Sequence, residues 1–223
     1  MTKKLFIQAI TKYISGLIII GLLLFVPAGT IQFRNGWILI VILFVPMFIA
    51  GVVIMIRSPE LLKKRLNAKE TEKEQKVVIA LSGFMFLAAF ITAGLNYRFG
   101  LMILSDRIIY LSAGIFLAAY AMYAEVLREN AYLSRTVEVQ DDQKVIDTGL
   151  YGIVRHPMYS STLIMFLSMG LVLGSPVSFA ILLLYIPIIA KRIRNEEAVL
   201  AQGLKGYDEY MKKVKYKVIP YVF

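Results

Sequence analysis

The 223-residue chain has no cysteine and a single histidine, His156. Without cysteine there are no disulfides, thiolate metal sites, iron–sulfur clusters or cysteine nucleophiles. With one histidine a histidine-rich metal site is excluded as well, so no metal is expected. Charge is scarce too. Charged residues make up 18% of the chain against 58% hydrophobic, with a mean hydropathy of +0.68. Soluble domains run near half apolar and about a quarter charged. These deficits exclude a soluble catalytic domain. They also make the net charge of +10 a matter of membrane topology before nucleic-acid binding, because the basic residues flank apolar runs.

What is present is a set of long charge-free runs, each near the roughly 20 apolar residues a membrane span needs. Four are single: Ile14 to Ala28, Trp37 to Ile56, Val77 to Leu95 and Ile108 to Ala124. The last, Met158 to Ala190, runs 33 residues and is cut near its middle by Gly174-Ser175-Pro176. Gly and Pro together punctuate a helix, so this run predicts a tight helical hairpin with short arms. The expected fold is all-α: a polytopic transmembrane bundle of five to six segments. Residues 1–124 read as a four-span scaffold, and 125–223 as a region carrying the hairpin and the polar chemistry.

Lys and Arg test this layout independently. In chain order the segments between spans carry 3, 1, 7, 2, 4, 0 and 8 of the 25, which puts 22 on one side and 3 on the other. By the positive-inside rule both termini are expected in the cytoplasm, and the expected location is a bacterial or archaeal plasma membrane. The longest early cytoplasmic loop, Arg57 to Lys76, mixes seven basic with four acidic residues. It reads as an amphipathic stretch lying on anionic headgroups.

Polar chemistry gathers after the fourth span. Glu125, at its cytoplasmic end, pairs along the helix with Arg128 or serves function. In Gly149-Leu150-Tyr151-Gly152-Ile153-Val154-Arg155-His156-Pro157-Met158-Tyr159 a glycine-bearing turn leads into an apolar helix. Pro157 is suited to the first helical position and pushes His156 out of helical geometry. The first-turn amides and the positive end of the helix dipole then offer an anion site, which Arg155 can supplement through its fork. The plain alternative is that Arg155 binds lipid phosphate and His156 caps the helix. A second cluster follows the last run: Lys191-Arg192-Ile193-Arg194-Asn195-Glu196-Glu197, then Tyr207, Tyr210 and Tyr216. The hairpin brings the two cytoplasmic ends together, so both clusters are expected to share one pocket. Adjacent helical residues point about 100° apart, so Glu196 and Glu197 are expected to differ in role. Surface ion pairing is the alternative for both.

These residues also resemble a known family, the isoprenylcysteine carboxyl methyltransferases with their bacterial and phospholipid-methylating relatives. The likeness rests on Arg128-Glu129-Asn130, Gly149-Leu150-Tyr151, Arg155-His156-Pro157-Met158-Tyr159, Glu196-Glu197, Gly206-Tyr207 with Tyr210, and Ile219-Pro220, in that order around the hairpin. It covers Glu125 to Phe223. It implies a membrane enzyme that binds S-adenosyl-L-methionine at the cytoplasmic face and methylates a lipophilic acceptor from the bilayer. Carried across by position, the cofactor residues are Tyr151, Arg155, His156, Pro157, Tyr159, Glu196 and Glu197, with Tyr207 and Tyr210 as aromatic cover. Arg155, Arg194 and Glu197 are the catalytic candidates, for orienting an acceptor or moving its proton.

Two other readings stand beside it. One is an NADPH-dependent membrane reductase of the sterol-reductase type, in which Arg192 and Arg194 meet a cofactor phosphate. The other is a non-catalytic scaffold whose basic face engages anionic lipid. A transporter fits less well, because the spans lack mid-bilayer ionisable residues. Lys3, Lys4 and Lys12 before a short apolar stretch resemble a signal peptide in part, but Pro27 sits badly beside a cleavage site, so the first helix is expected to be retained. Intact-mass measurement of the purified protein checks this, with 25.2 kDa expected for the whole chain.

Overall fold

The computed structural model describes residues 3–66, 73–133, 139–140 and 142–223. Among the described residues all regular structure is helical. The four single apolar runs each lie inside a longer helix: α1 (Lys3–Ala28), α2 (Arg34–Arg57), α4 (Lys73–Phe99) and α5 (Asp106–Glu129). The helices overrun the charge-free stretches because a charged side chain beyond the hydrocarbon does not break a helix, whereas backbone chemistry does. Thus α2 ends at Arg57, where Ser58 precedes Pro59 and leaves helical geometry at φ −147 and ψ 67, since the proline ring disfavours a helical residue before it.

Pro59 in turn opens α3 (Pro59–Leu66) in the first basic loop. The sequence placed this stretch on the membrane surface. In the fold α3 packs on α1 and α2, burying Leu61 and Leu62, while Lys12 donates to the Leu66 carbonyl. The remainder of that loop, 67–72, lies outside the described residues.

The 33-residue run folds back at the expected place. α6 (Pro157–Val172) ends just before Gly174, whose φ of +72 is a left-handed conformation open to glycine. A Cβ there would also stand 2.7 Å from Nδ2 of Asn35. Ser175 then caps α7 (Pro176–Leu182), its side chain accepting from the Ser178 N–H. The second arm is stepped, which the sequence reading did not anticipate. Pro187 has no N–H for the Leu183 carbonyl and crowds it, so α7 and α8 (Tyr185–Gly203) are joined through i−3 bonds from Leu184 to Ile181 and from Ile186 to Leu183. A last short helix, α9 (Tyr207–Lys213), precedes the C-terminal segment.

Among the described residues five helical stretches are long and apolar enough to cross a membrane: Leu5–Ala28, Arg34–Arg57, Gln75–Phe99, Asp106–Glu129 and Pro176–Gly203. With 16 residues, α6 spans roughly 24 Å at 1.5 Å per residue, short of the roughly 30 Å hydrocarbon core. Large apolar side chains such as Ile18, Leu22, Val41, Val45 and Ile49 face outward, the arrangement of a protein whose solvent is lipid. This is an integral membrane protein. Inside, one core cluster runs from Leu24 through Phe44, Ala89, Phe116 and Met169 to Val218, so the N-terminal helices and the hairpin region share a packed interior.

The hairpin is tight because Gly170 lets α7 approach. A Cβ at Gly170 would lie 2.5 Å from N and 2.6 Å from Cα of Phe179, both backbone atoms. Gly170→Ala is therefore expected to destabilise the fold by about 1–3 kcal/mol through overpacking, read as a lowered thermal midpoint of the detergent-solubilised protein.

Candidate functional site

The site forms where α5 ends and α6 begins, at the end of the bundle that carries most of the basic residues. A 3-10 turn at Gly149–Gly152 leads to this point, fixed by the Leu150 N–H donating to Oε2 of Glu129 at 3.2 Å. Pro157 is the first residue of α6, with His156 outside the helix at φ −126 and ψ 62. The His156 side chain makes no capping bond. Arg155 and His156 instead bond through their backbones to the C-terminal segment, their N–H groups donating to the carbonyls of Tyr216 (2.9 Å) and Lys217 (2.8 Å).

One carboxylate gathers the charges. Arg155 Nε donates to Oε1 of Glu197 at 2.8 Å, and His156 Nε2 lies 3.2 Å from the same oxygen. Lys217 Nζ meets Oε2 at 2.8 Å. Arg155 also donates through one terminal nitrogen to the carbonyls of Val214 and Lys215, each at 2.8 Å. Its side chain is 7% exposed and that of Glu197 is 11%. The hairpin and the C-terminal segment thus meet in a buried ionic knot.

Glu196 takes a different direction, as the angle between helical neighbours requires. Its Oε2 accepts from the Tyr159 hydroxyl at 2.5 Å, and that hydroxyl accepts from Arg192 Nε at 2.9 Å. Glu196 lines a cleft together with Tyr151, Arg155, His156, Tyr159, Arg192, Tyr207 and Tyr210. The empty space of the cleft is about 840 Å³, open solvent at its mouth included. Asn130, Tyr132, Leu133, Met158, Leu200, Leu204 and the segment from Gln143 to Ile146 complete the walls. Asn130 at the end of α5 donates to the Tyr151 hydroxyl at 2.9 Å, and Tyr210 donates to the Tyr151 carbonyl at 2.8 Å.

Burial makes these phenols weak acids. It pushes Tyr151 up to about 12, with the Asn130 hydrogen bond opposing. Tyr207 and Tyr210 are raised well above their ordinary range, first by burial; Glu197 and Glu196 add to it at Tyr207, and the Tyr151 phenol at Tyr210. All three are neutral at physiological pH and serve as donors or ring surfaces. The Tyr207 hydroxyl is buried and has no hydrogen-bond partner among the described residues.

The predicted residues therefore separate into three groups. Tyr151, Arg155, His156, Tyr159, Glu196, Tyr207 and Tyr210 come together around the cleft. Pro157 is buried at the helix start, and Glu197 sits behind the wall with both oxygens engaged. Arg194, a catalytic candidate from the sequence, is exposed and does not line the cleft; it stands two positions, about 200°, around the helix from Arg192. The expected anion site at the start of α6 is also poorer in donors than its sequence suggested. Pro157 brings no N–H, and those of Tyr159 and Ser160 both donate to the His156 carbonyl. The sequence reading missed Asn130, Tyr132, Leu133, Gln143 to Ile146, Met158, Leu200 and Leu204 as wall residues. Asn130 and Met158 carried a signal, as members of the Arg128-Glu129-Asn130 and Arg155-His156-Pro157-Met158-Tyr159 motifs.

Fold and site together define a polytopic helical membrane protein with a polar, tyrosine-lined cleft at its basic end. Residues 109–202 match the model of the isoprenylcysteine carboxyl methyltransferase (ICMT) family, the methyltransferase family that the motif order resembles. The Delta(14)-sterol reductase TM7SF2 of Mus musculus is 31% identical over 91 residues, which is 40% of this chain and 22% of that protein. The chain thus matches about a fifth of the length of this curated relative.

Breaking the knot tests its weight. Glu197→Ala leaves the Arg155 guanidinium buried without its counter-charge, an expected loss of about 3–5 kcal/mol, measured as chemical unfolding in detergent micelles. Arg194→Ala, on the exposed face, is expected to unfold within about 0.5 kcal/mol of the unaltered protein.

Proposed function

We propose that this protein is an S-adenosyl-L-methionine-dependent methyltransferase acting on a lipophilic acceptor at the cytoplasmic membrane face. The observation that carries the proposal is the convergence of Tyr159 and Glu196 on one cleft, inside the segment that matches the methyltransferase family.

The residues fit the cofactor in kind. Only Oε2 of Glu196 is hydrogen-bonded among the described residues, which leaves a carboxylate oxygen for the ammonium group or the ribose hydroxyls. Tyr151, Tyr207, Tyr210, Leu200 and Leu204 supply aromatic and apolar surface for an adenine, and the unpartnered Tyr207 hydroxyl supplies a buried donor. When bound, S-adenosyl-L-methionine supplies an electrophilic methyl group on a sulfonium. The protein's part is alignment and exclusion of water. Arg192 lines the cleft beside Met158 and Tyr159 and replaces Arg194 as the basic group able to orient an acceptor. Glu196 is the carboxylate able to take a proton from one. Glu197, with both oxygens engaged, is a structural counter-ion in this reading, and Arg155 with it.

The first 124 residues serve as the scaffold that seats the hairpin. The acceptor enters from the bilayer, and anionic headgroups meet the basic end of the bundle. The partial likeness to a sterol reductase keeps an NADPH-dependent reductase as the competing reading.

Titrating purified protein with S-adenosyl-L-methionine and NADPH side by side separates the two. Binding of the first alone is expected, with affinity at least about tenfold weaker in both His156→Ala and Glu196→Ala, or about 1.4 kcal/mol each. Full retention in both variants removes the site assignment, and binding of NADPH alone removes the methyltransferase. Radiolabelled methyl transfer into a lipid and small-molecule extract is expected to label a lipophilic product; label found only in protein overturns the acceptor class.

A further inference from the structure

The contacts that aim Glu196 do not end inside the family-matched segment. Arg192 holds the Tyr159 hydroxyl from one side while Glu196 accepts from it on the other. A terminal nitrogen of Arg192 reaches in turn to Oε1 of Gln75, at 3.4 Å. Gln75 lies in the first turn of α4, outside residues 109–202, and is 1% exposed. A buried primary amide at the end of an apolar helix is costly unless its hydrogen bonds are made. Here they are not all made, since Gln75 Nε2 has no partner among the described residues. For stability alone an apolar side chain of this size serves as well or better. What only the amide provides is an oxygen turned toward Arg192.

We propose that Gln75 is a positioning residue for the cofactor site. It steadies Arg192, which sets the Tyr159 hydroxyl, which sets the Glu196 carboxylate. The N-terminal helices then do more than carry the hairpin: α4 contributes one end of a four-residue relay into the cleft. This inference rests on the reading of the cleft as an S-adenosyl-L-methionine site, and the experiment separates the two.

Affinity for S-adenosyl-L-methionine and thermal midpoint are measured on full-length protein in detergent for the unaltered chain, Gln75→Leu, Gln75→Met, Gln75→Glu, Tyr159→Phe and the double variant Gln75→Leu/Tyr159→Phe. The apolar variants are expected to bind about five- to tenfold more weakly, a coupling of ordinary size for contacting residues, with thermal midpoints equal to or above that of the unaltered chain. Gln75→Glu keeps an acceptor oxygen for Arg192 and is expected to stay within about twofold, well under one such coupling. The double variant is expected to bind no more weakly than Tyr159→Phe, because both changes cut one relay. Unchanged binding in the apolar variants, equal loss in Gln75→Glu, or additive loss in the double variant overturns the relay while leaving the cofactor reading intact. No binding by the unaltered protein overturns both. Two apolar variants are included so that a folding failure of one still leaves a result.

Discussion

The architecture of the basic end depends on one buried carboxylate. Glu197 receives Arg155, His156 and Lys217, and so joins the start of α6, the last long helix and the C-terminal segment. A carboxylate and a guanidinium so thoroughly withdrawn from water cost several kcal/mol each unless they are paired and their remaining valences are filled. Arg155 fills its own with two main-chain carbonyls. The knot explains why the C-terminal segment, which has no regular structure of its own after α9, lies beside the Arg155-His156 backbone.

With Glu197 committed to the knot, its neighbour Glu196 faces the cleft. A helix cannot aim two consecutive side chains at one target, so an acidic pair at the end of an amphipathic helix divides into one residue for the knot and one for the cleft. Twice the angle between helical neighbours separates Arg192, which touches Tyr159, from exposed Arg194. Placement in the knot, in the cleft or on the exposed face is thus allotted by helical phase, and the tyrosines that line the wall are kept neutral by burial.

Hairpin closure brings the halves of the site together. Gly174 supplies the left-handed residue, Ser175 the cap and Gly170 the close approach to α7. The step at Leu183–Leu184 lets the second arm continue as α8 past Pro187, carrying Arg192, Glu196 and Glu197 to the level of Tyr159. The core shared with α1, α2 and α4 means that the hairpin is seated on the earlier helices.

Much of this was legible in the chain itself. Charge-free runs near twenty residues long admit only helices in lipid, since every backbone group must find its partner within its own segment. The turn at Gly174 and the helix start at Pro157 are local backbone effects of glycine and proline. The convergence of Arg155-His156 with the acidic pair followed from the hairpin, and the motif order pointed to the family that residues 109–202 match. Only the tertiary structure decided which glutamate enters the cleft, that Arg192 and not Arg194 lines it, that Lys217 completes the knot and that Gln75 reaches Arg192 across 117 positions. Those outcomes depend on helical phase and on contacts between distant segments. Local pattern sets where a helix begins and ends; rotation about its axis is set by what packs against it.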